Sequence, residues 1–402
     1  MATEYKKYIP TLRFPEFQND GEWEADTMET IFDIKNGYTP SKSNPSFWDN
    51  GTIPWFRMED IRKNGHILSD SIQHVTPAAV KNAGLFPAYS IIVATTATIG
   101  EHALIIVDSL ANQQFTFLTK RKSFDNKLDM MYFHYFMFII DEWCKRNTNA
   151  GGLLSVNMDS FKKLTIPYPS SILEQKRIAE CFISIDKEID ATKRKLEQLK
   201  EHKKGLMQRL FPAKGKTTPE LRFPEFQNNG EWIPRPLSDI LNYEQPTPYI
   251  VEDDTYKKEG TPVLTANKGF ILGYTDELFG IYSKLPVIIF DDFTTDKKYV
   301  DFSFKIKSSA IKLLTLKDEE RDNLRFIFEC MSNIVFEEKE HKRYYISEYQ
   351  HINIYVPSSL QEQNQIADTL LSVDKQISEY DKKIKALELH KKGLMQQLFP
   401  KL

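Results

Sequence analysis

A repeated frame constrains this chain more than any other feature. Pro10 to Trp23 reads PTLRFPEFQNDGEW and Pro219 to Trp232 reads PELRFPEFQNNGEW, identical at 12 of 14 positions. Residues 169–212 and 357–400 form a second pair, identical at 23 of 44 positions without a gap and sharing HKKGLMQ at 202–208 and 390–396. The order is box, variable segment, helical segment, and then the same again. The variable segments, 24–168 and 233–356, differ in length and show little obvious similarity. The frame is duplicated and its contents are not. A solenoid, whose units are short and alike, is excluded. The pattern implies a pseudo-twofold molecule carrying two different heads. Drift of one copy does not explain why divergence stops at the helical segments.

Each helical segment opens with a capping box, Ser171 with Glu174 and Ser359 with Glu362, and closes at Pro212 or Pro400. Between them the apolar positions step by four and three. The first seam is Ile178, Phe182, Ile185, Ile189, Thr192, Leu196, Leu199, Lys203, Leu206 and Leu210. The second is Ile366, Leu370, Val373, Ile377, Tyr380, Ile384, Leu387, Lys391, Leu394 and Leu398. This is a coiled-coil seam, and each helix would be roughly 60 Å long. The nearest partner for such a stripe is its twin in the same chain, antiparallel; pairing with another subunit is the rival. Lys203 and Lys391 interrupt the seam and are followed by Gly205 and Gly393. Glycine inside a helix costs about 1 kcal/mol, which points to close approach of another backbone, that of a partner protein, or to a fraying helix end.

The variable segments mix strand and helix patterns. In the first, 53–61, 90–100 and 115–121 read as strands, 37–51 as turn-rich, and 129–146 as helix. In the second, 261–264, 286–291 and 306–316 read as strands and 320–336 as helix. A short strand leads into each coiled-coil segment, at 164–171 and 352–359. The class is α+β: two globular heads joined by two long helices that form an antiparallel coiled coil.

The composition excludes several functions. Cys144, Cys181 and Cys330 lie far apart without a CxxC pair, which argues against a disulfide scaffold or a cysteine zinc site and fits a cytoplasmic protein. The greasiest run, Met130 to Ile140, is about half the roughly 20 residues a membrane span needs. No GxGxxG follows a strand, no P-loop occurs, and the eight histidines show no metal spacing. Asp292, Asp296 and Lys298, or Glu337 and Lys339, could be forced into a nuclease pattern, but among 56 acidic residues such coincidences are expected. The net charge of −3 is unlike a stand-alone nucleic-acid binder.

Certain runs nevertheless resemble a known family. GYTPSKSNPSFWDNGTIPWFRMEDI in the first head, TTATIG and Asn-Gln-Gln-Phe at 112–115 after it, and the repeated E-Q-x-x-I-A and LRFPEF boxes are similar to the DNA-specificity subunit of type I restriction–modification systems. The resemblance covers essentially the whole chain, and the second head matches loosely, through LPVIIFDDF and SSAIKLLTL. It implies target-recognition domains at 10–168 and 213–356 (with a short linker at 213–219), and conserved helices at 169–212 and 357–402. Each domain would read half of a bipartite site on double-stranded DNA, with the helices as a ruler. Two methyltransferase subunits would bind around them and methylate adenine using S-adenosylmethionine. Restriction subunits, with ATP and Mg, would add cleavage. The chain itself would be non-catalytic, bind no cofactor and touch no membrane. A catalytic DNA enzyme with an unrecognised centre and a coiled-coil protein-interaction scaffold are the alternatives.

Base readout needs Arg, Lys, Asn or Gln at base edges, with Ser, Thr and amides on phosphates. In the first head the candidates are Tyr38, Thr39, Ser41, Lys42, Arg57, Gln113 and Gln114. In the second they are Asn267, Lys268, Thr294, Thr295, Lys297, Lys298, Lys342, Arg343 and Tyr344. The competing reading of each is an ordinary surface polar residue, and Trp48 and Trp55 read as core. Partner docking is assigned to His202, Lys203, Lys204 and Gly205, and to His390, Lys391, Lys392 and Gly393.

Overall fold

The computed structural model describes residues 8–81, 84–149, 154–266, 269–337 and 343–402. It divides into two compact units, Met1–Thr192 with Lys383–Leu402, and Lys193–Lys382. Both cuts fall inside the long helices, Ile172–Leu210 and Leu360–Leu398. Each unit therefore combines one head with the beginning of one helix and the end of the other.

In the first unit a five-stranded sheet runs in the order Phe32–Asn36, Phe115–Lys120, Ser90–Ala94, His102–Ile105, Ile67–Leu68. All neighbours are antiparallel except the last pair. The central strand Ser90–Ala94 is buried at every residue. Side chains alternate across a strand, so Ile91 and Val93 join the core beneath the helix Met130–Arg146, while Ile92 and Ala94 fill a second core on the opposite face. Asp129 caps that helix, its Oδ1 accepting from the amides of Met131 and Tyr132 at 2.9 Å. A smaller sheet holds His74–Val75, Ile53–Phe56 and Leu110–Ala111, the last pair parallel. The ribbon Glu24–Thr27 with Thr165–Tyr168 leads into the long helix.

The second unit repeats this plan. Its larger sheet runs Leu241–Glu244, Ile311–Leu316, Val287–Asp291, Lys297–Val300, and its smaller one Ile271–Thr275, Thr261–Leu264, Lys305–Ile306 with the last pair parallel. Ile288 and Phe290 face the core beneath the helix Leu324–Ser332, and Val287 and Ile289 face the second core. The ribbon is Ile233–Pro236 with Asn353–Val356. Among the described residues the two heads, read as unlike from sequence, share one strand order except that Ile67–Leu68 has no counterpart in the second.

Four expected elements differ, the first being the strand at 90–100, which stops at Ala94. The strand at 53–61 stops at Phe56, and Met58–Asn64 is helical because fully buried Asp60 accepts from the amides of Arg57 (2.7 Å) and Ile72 (2.6 Å). The strand at 306–316 splits at a turn into Lys305–Ile306 and Ile311–Leu316, one in each sheet. The helix at 320–336 begins only after Asn323, which caps the Phe326 amide.

In each unit the two helix portions run antiparallel. Phe182 stacks on Phe399 at 5.7 Å, with Asp186–Lys391 (2.6 Å) and Glu188–Lys383 (2.5 Å) further along. In the other unit Lys203 meets Asp374 at 2.8 Å, and Leu210 and Leu370 share a core. The seam lysines are thus matched by carboxylates.

The repeated box has a structural role the capping-box reading missed. Ser171 and Ser359 do accept from the amides of Glu174 and Glu362. The glutamate side chains turn away to Arg13 (2.7 and 2.6 Å) and to Arg222 (2.8 Å twice). The next residues, buried Gln175 and Gln363, accept from the amides of Asp129 and Asn323, the caps of the two head helices. The box, the long helix and the head are tied together twice by the same side chains.

The first head also buries a histidine cluster. His102 places Nδ1 2.7 Å from Asp141 and Nε2 3.0 Å from the His134 carbonyl, to which it must donate. Burial holds His134 well below the ordinary imidazole range, and the nearby His102 adds to this. The unfolded chain takes up a proton near pH 6.5 that folded His134 refuses. Its contribution is therefore intact above that pH and lost below it, by about 1.4 kcal/mol per pH unit. Asp141, pushed up by burial, acts in the opposite sense. The parent chain should therefore lose more stability than His134→Phe between pH 7 and 5, read by thermal melting; equal losses would remove His134 as the cause.

Candidate nucleic-acid interface

In the first head, three segments distant in sequence converge. Gly37 and Tyr38 donate their amides to Phe115 (2.9 Å) and Ala111 (2.8 Å), and the Asn112 amide donates to Phe56 (3.0 Å), one residue before Arg57. A Cβ on Gly37 would sit 2.4 Å from the Asn112 oxygen, so this close approach requires glycine. Thr39 Oγ1 donates to Gln113 Oε1 at 2.5 Å, leaving the amide NH2 as the end able to donate elsewhere. The Arg57 guanidinium lies 5.8 Å from the Trp55 ring and pairs with Glu59 at 3.1 Å. Exposed Ser41 and Lys42 continue the turn, and Trp48 Nε1 anchors it by donating to the Ser41 carbonyl at 2.9 Å. Trp55 is core, as expected, with half-buried Trp48 edge-on against it at 5.0 Å. Gln114 turns its amide to Asn112 (3.1 Å). The sequence candidates therefore lie on neighbouring, hydrogen-bonded segments. One cation was missed: the Lys81 ammonium sits 4.3 Å over the Tyr38 ring, whose hydroxyl donates to Ala79 and accepts from the Lys81 amide. Nothing in its surrounding sequence marks it.

The second head fares differently. Asn267, Lys268 and Lys342 lie outside the described residues. Thr295 and Tyr344 are buried, and the Tyr344 amide donates to the Asp292 carbonyl. Lys297 turns inward to the Tyr349 hydroxyl at 3.2 Å, and burial lowers its pKa. Thr295 and Lys297 are turned inward on the hairpin of Val287–Asp291 and Lys297–Val300, and Tyr344 is buried through its amide bond to Asp292. Lys298 is half-buried on the strand Lys297–Val300. Thr294 and Arg343 remain exposed, the latter 5.9 Å from the Phe293 ring. Asp292, a candidate nuclease carboxylate, is buried between the Tyr345 amide (2.7 Å) and Lys312 (3.3 Å).

On the long helices His202, Lys204, His390 and Lys392 are exposed. Lys203 and Lys391 are not free for a partner. Lys203 bridges Asp374 and Glu329, and Lys391 pairs with Asp186 over the rings of Tyr135 and Phe138. The helices continue past both glycines to Leu210 and Leu398, which removes the fraying explanation. A Cβ at Gly205 or Gly393 would meet no described atom within 4 Å.

No group of three or more His, Cys, Asp or Glu among the described residues is arranged to hold a metal ion, and no described helix is long and apolar enough to cross a membrane.

Residues 20–201 match the type I restriction modification DNA specificity domain. The specificity subunit of the type I restriction enzyme EcoprrI of Escherichia coli is 49% identical over 152 residues, 38% of each chain. That of EcoR124I/EcoR124II, also of Escherichia coli, is 50% identical over 132 residues, 32% of each chain. The chain thus aligns with only about a third of these curated relatives' length. The crystal structure of the type I restriction–modification S subunit of M. genitalium covers 98% of this chain and 99% of its own, with a TM-score of 0.64 at 15% identity, a likeness of fold. The matched domain takes in most of the first head and the beginning of the first long helix, just under half of the chain, and the whole chain shares the fold of the M. genitalium S subunit.

Proposed function

We propose that this chain is the non-catalytic DNA-recognition subunit of a cytoplasmic type I restriction–modification complex. Each head reads one half of a bipartite site, and the paired helices set the spacing. Two methyltransferase subunits dock on the helices and methylate adenine N6 with S-adenosylmethionine. Restriction subunits, using ATP and Mg, cleave unmethylated DNA. The observation that carries this reading is one head fold built twice on one frame, with different side chains at the same loops. Such a molecule suits a linear target with two unlike halves. The helical segments (171–216 and 359–402) carry +6 together and the remainder −9. Phosphate attraction by the isolated chain is therefore weak and salt-dependent, and tight binding needs the partner subunits.

The test is to express the chain with its methyltransferase subunit in a host lacking adenine methylation and to map N6-methyladenine by single-molecule sequencing. One bipartite motif, lost when either component is omitted, is expected. Exchanging residues 24–168 for another head should change one half of that motif. A change in both halves, or methylation without this chain, would overturn the reading.

A further inference from the structure

Four backbone hydrogen bonds fix the loop Asn112–Gln114 between the two sheets of the first head. Tyr38 donates to Ala111 (2.8 Å), Asn112 to Phe56 (3.0 Å), Phe115 to Asn112 (3.2 Å) and Thr95 to Gln114 (3.1 Å). The second head repeats all four. Val251 donates to Ile306 (2.9 Å), Lys307 to Leu264 (3.1 Å), Ile311 to Ser308 (3.3 Å) and Asp292 to Ala310 (2.8 Å). The flanking pairings agree too: Trp55–Leu110 and Phe56–Ala111 are matched by Val263–Lys305 and Leu264–Ile306, both parallel. The loop Lys307–Ala310 is therefore the counterpart of Asn112–Gln114, one residue longer.

The two loops are also held alike, with different chemistry. In the first head Thr39, from the loop after the first sheet strand, bonds to Gln113. In the second, Asp254, from the equivalent loop, forms an ion pair with Lys307, whose ammonium also lies 5.7 Å from the Tyr256 ring. Lys307 is about one-third exposed, and Ser308 and Ser309 are exposed beside it.

Resting on the reading that each head recognises DNA, we propose that Lys307 is the base-contacting residue of the second head and Asp254 its positioning residue. An ammonium carries donors only, which suits the acceptor edge of guanine, O6 and N7. The side-chain amide of Gln113, one residue further along the corresponding loop of the first head, keeps its NH2 donor and a second lone pair on Oε1 beside the Thr39 bond, and so suits adenine. Ser308 and Ser309 follow Lys307 as hydroxyl donors for phosphate oxygens. The Asp254 carboxylate repels phosphates, so it restrains Lys307 from general backbone contact and leaves a base edge to draw it away.

The experiment maps methylation motifs for the full chain with its methyltransferase subunit, using the parent, Lys307→Gln, Asp254→Asn and Gln113→Ala. For Lys307→Gln, the expected result is loss of about tenfold or more in discrimination at one or two adjacent positions of one half-site, with the other half unchanged. Gln113→Ala should alter only the opposite half. Asp254→Asn should keep the parent motif but methylate near-matches more often. An unchanged motif in Lys307→Gln, or a uniform loss at all sites and a shallower salt dependence, would overturn the assignment, the latter marking a phosphate contact. Asp254 and Gln113 are exposed and Lys307 reaches the surface, so melting temperatures should match the parent and exclude misfolding. A parent that produces no motif would sink the recognition role itself, and the assignment with it.

Discussion

Glu362→Ala should destabilise the unit Lys193–Lys382 by about 3–5 kcal/mol, the range for breaking a buried ion pair from one side. The Glu362 side chain is 1% exposed and that of Arg222 10%. The carboxylate accepts twice from the guanidinium at 2.8 Å and once from Trp232 Nε1 at 3.2 Å. Removing it leaves a guanidinium and an indole N–H facing a cavity with little water to replace the lost acceptor. Arg222 also donates to the carbonyls of Asn229 and Gly230, so the turn of the repeated box loosens with it. Glu174→Ala should do the same to the first unit, where Arg13 makes the corresponding bonds. Urea unfolding of the full chain should show one transition shifted in each variant. The double variant Arg222→Ala with Glu362→Ala should lose less than the sum of its singles, because the second change removes the stranded charge. A loss below about 1 kcal/mol in Glu362→Ala would mean that the pair behaves as a surface pair.

The second large effect sets stability against assembly. Gly205 and Gly393 sit inside continuous helices with open space where a Cβ would go. In the isolated chain, alanine at either position should stabilise by up to about 1 kcal/mol. If a partner backbone packs against this bare stretch, as we propose for the methyltransferase subunits, a large side chain should block it. Gly205→Trp with Gly393→Trp should leave the melting temperature of the chain near the parent value and abolish co-purification of the methyltransferase subunit. Undiminished co-purification would place docking elsewhere. Exposed His202, Lys204, His390 and Lys392 flank these glycines, whereas Lys203 and Lys391 are engaged within the chain, so only the former should respond to charge reversal in the complex.

What the sequence discloses depends on the distance over which a signal acts. The seam steps of the long helices are local, and residues such as Phe182, Leu196 and Ile366 are buried as that periodicity requires. The capping boxes are local as well, but only the serine half is used. The glutamates answer arginines 161 and 140 positions away, beyond any window of periodicity. The helix Met58–Asn64 was hidden because its apolar residues continue a strand-like run and its capping acid follows an arginine rather than a usual cap. The shared head fold was hidden because strands preserve alternation, not identity: Ile91 and Val93 do the work of Ile288 and Phe290. That the first-head candidate segments adjoin could be anticipated because they are turn-rich loops, and their backbones are hydrogen-bonded to one another. In the second head, residues 295 and 297 are turned inward on a hairpin and Tyr344 by its amide bond to Asp292, contacts that no composition rule reveals.

The core of the first unit contains Leu398 and Phe399, with Phe399 packed against Tyr132, Phe136 and Phe182, and the Leu12 amide donates to the Gln397 carbonyl. The second unit, by contrast, is one unbroken stretch of chain. During synthesis, then, the earlier-made head must wait with an uncovered aromatic cluster while the later one is completed. The half that begins folding first is the half that finishes last. Its exposed interval lasts for the translation of everything between Thr192 and Lys383, which is when such a surface is most open to aggregation or chaperone capture.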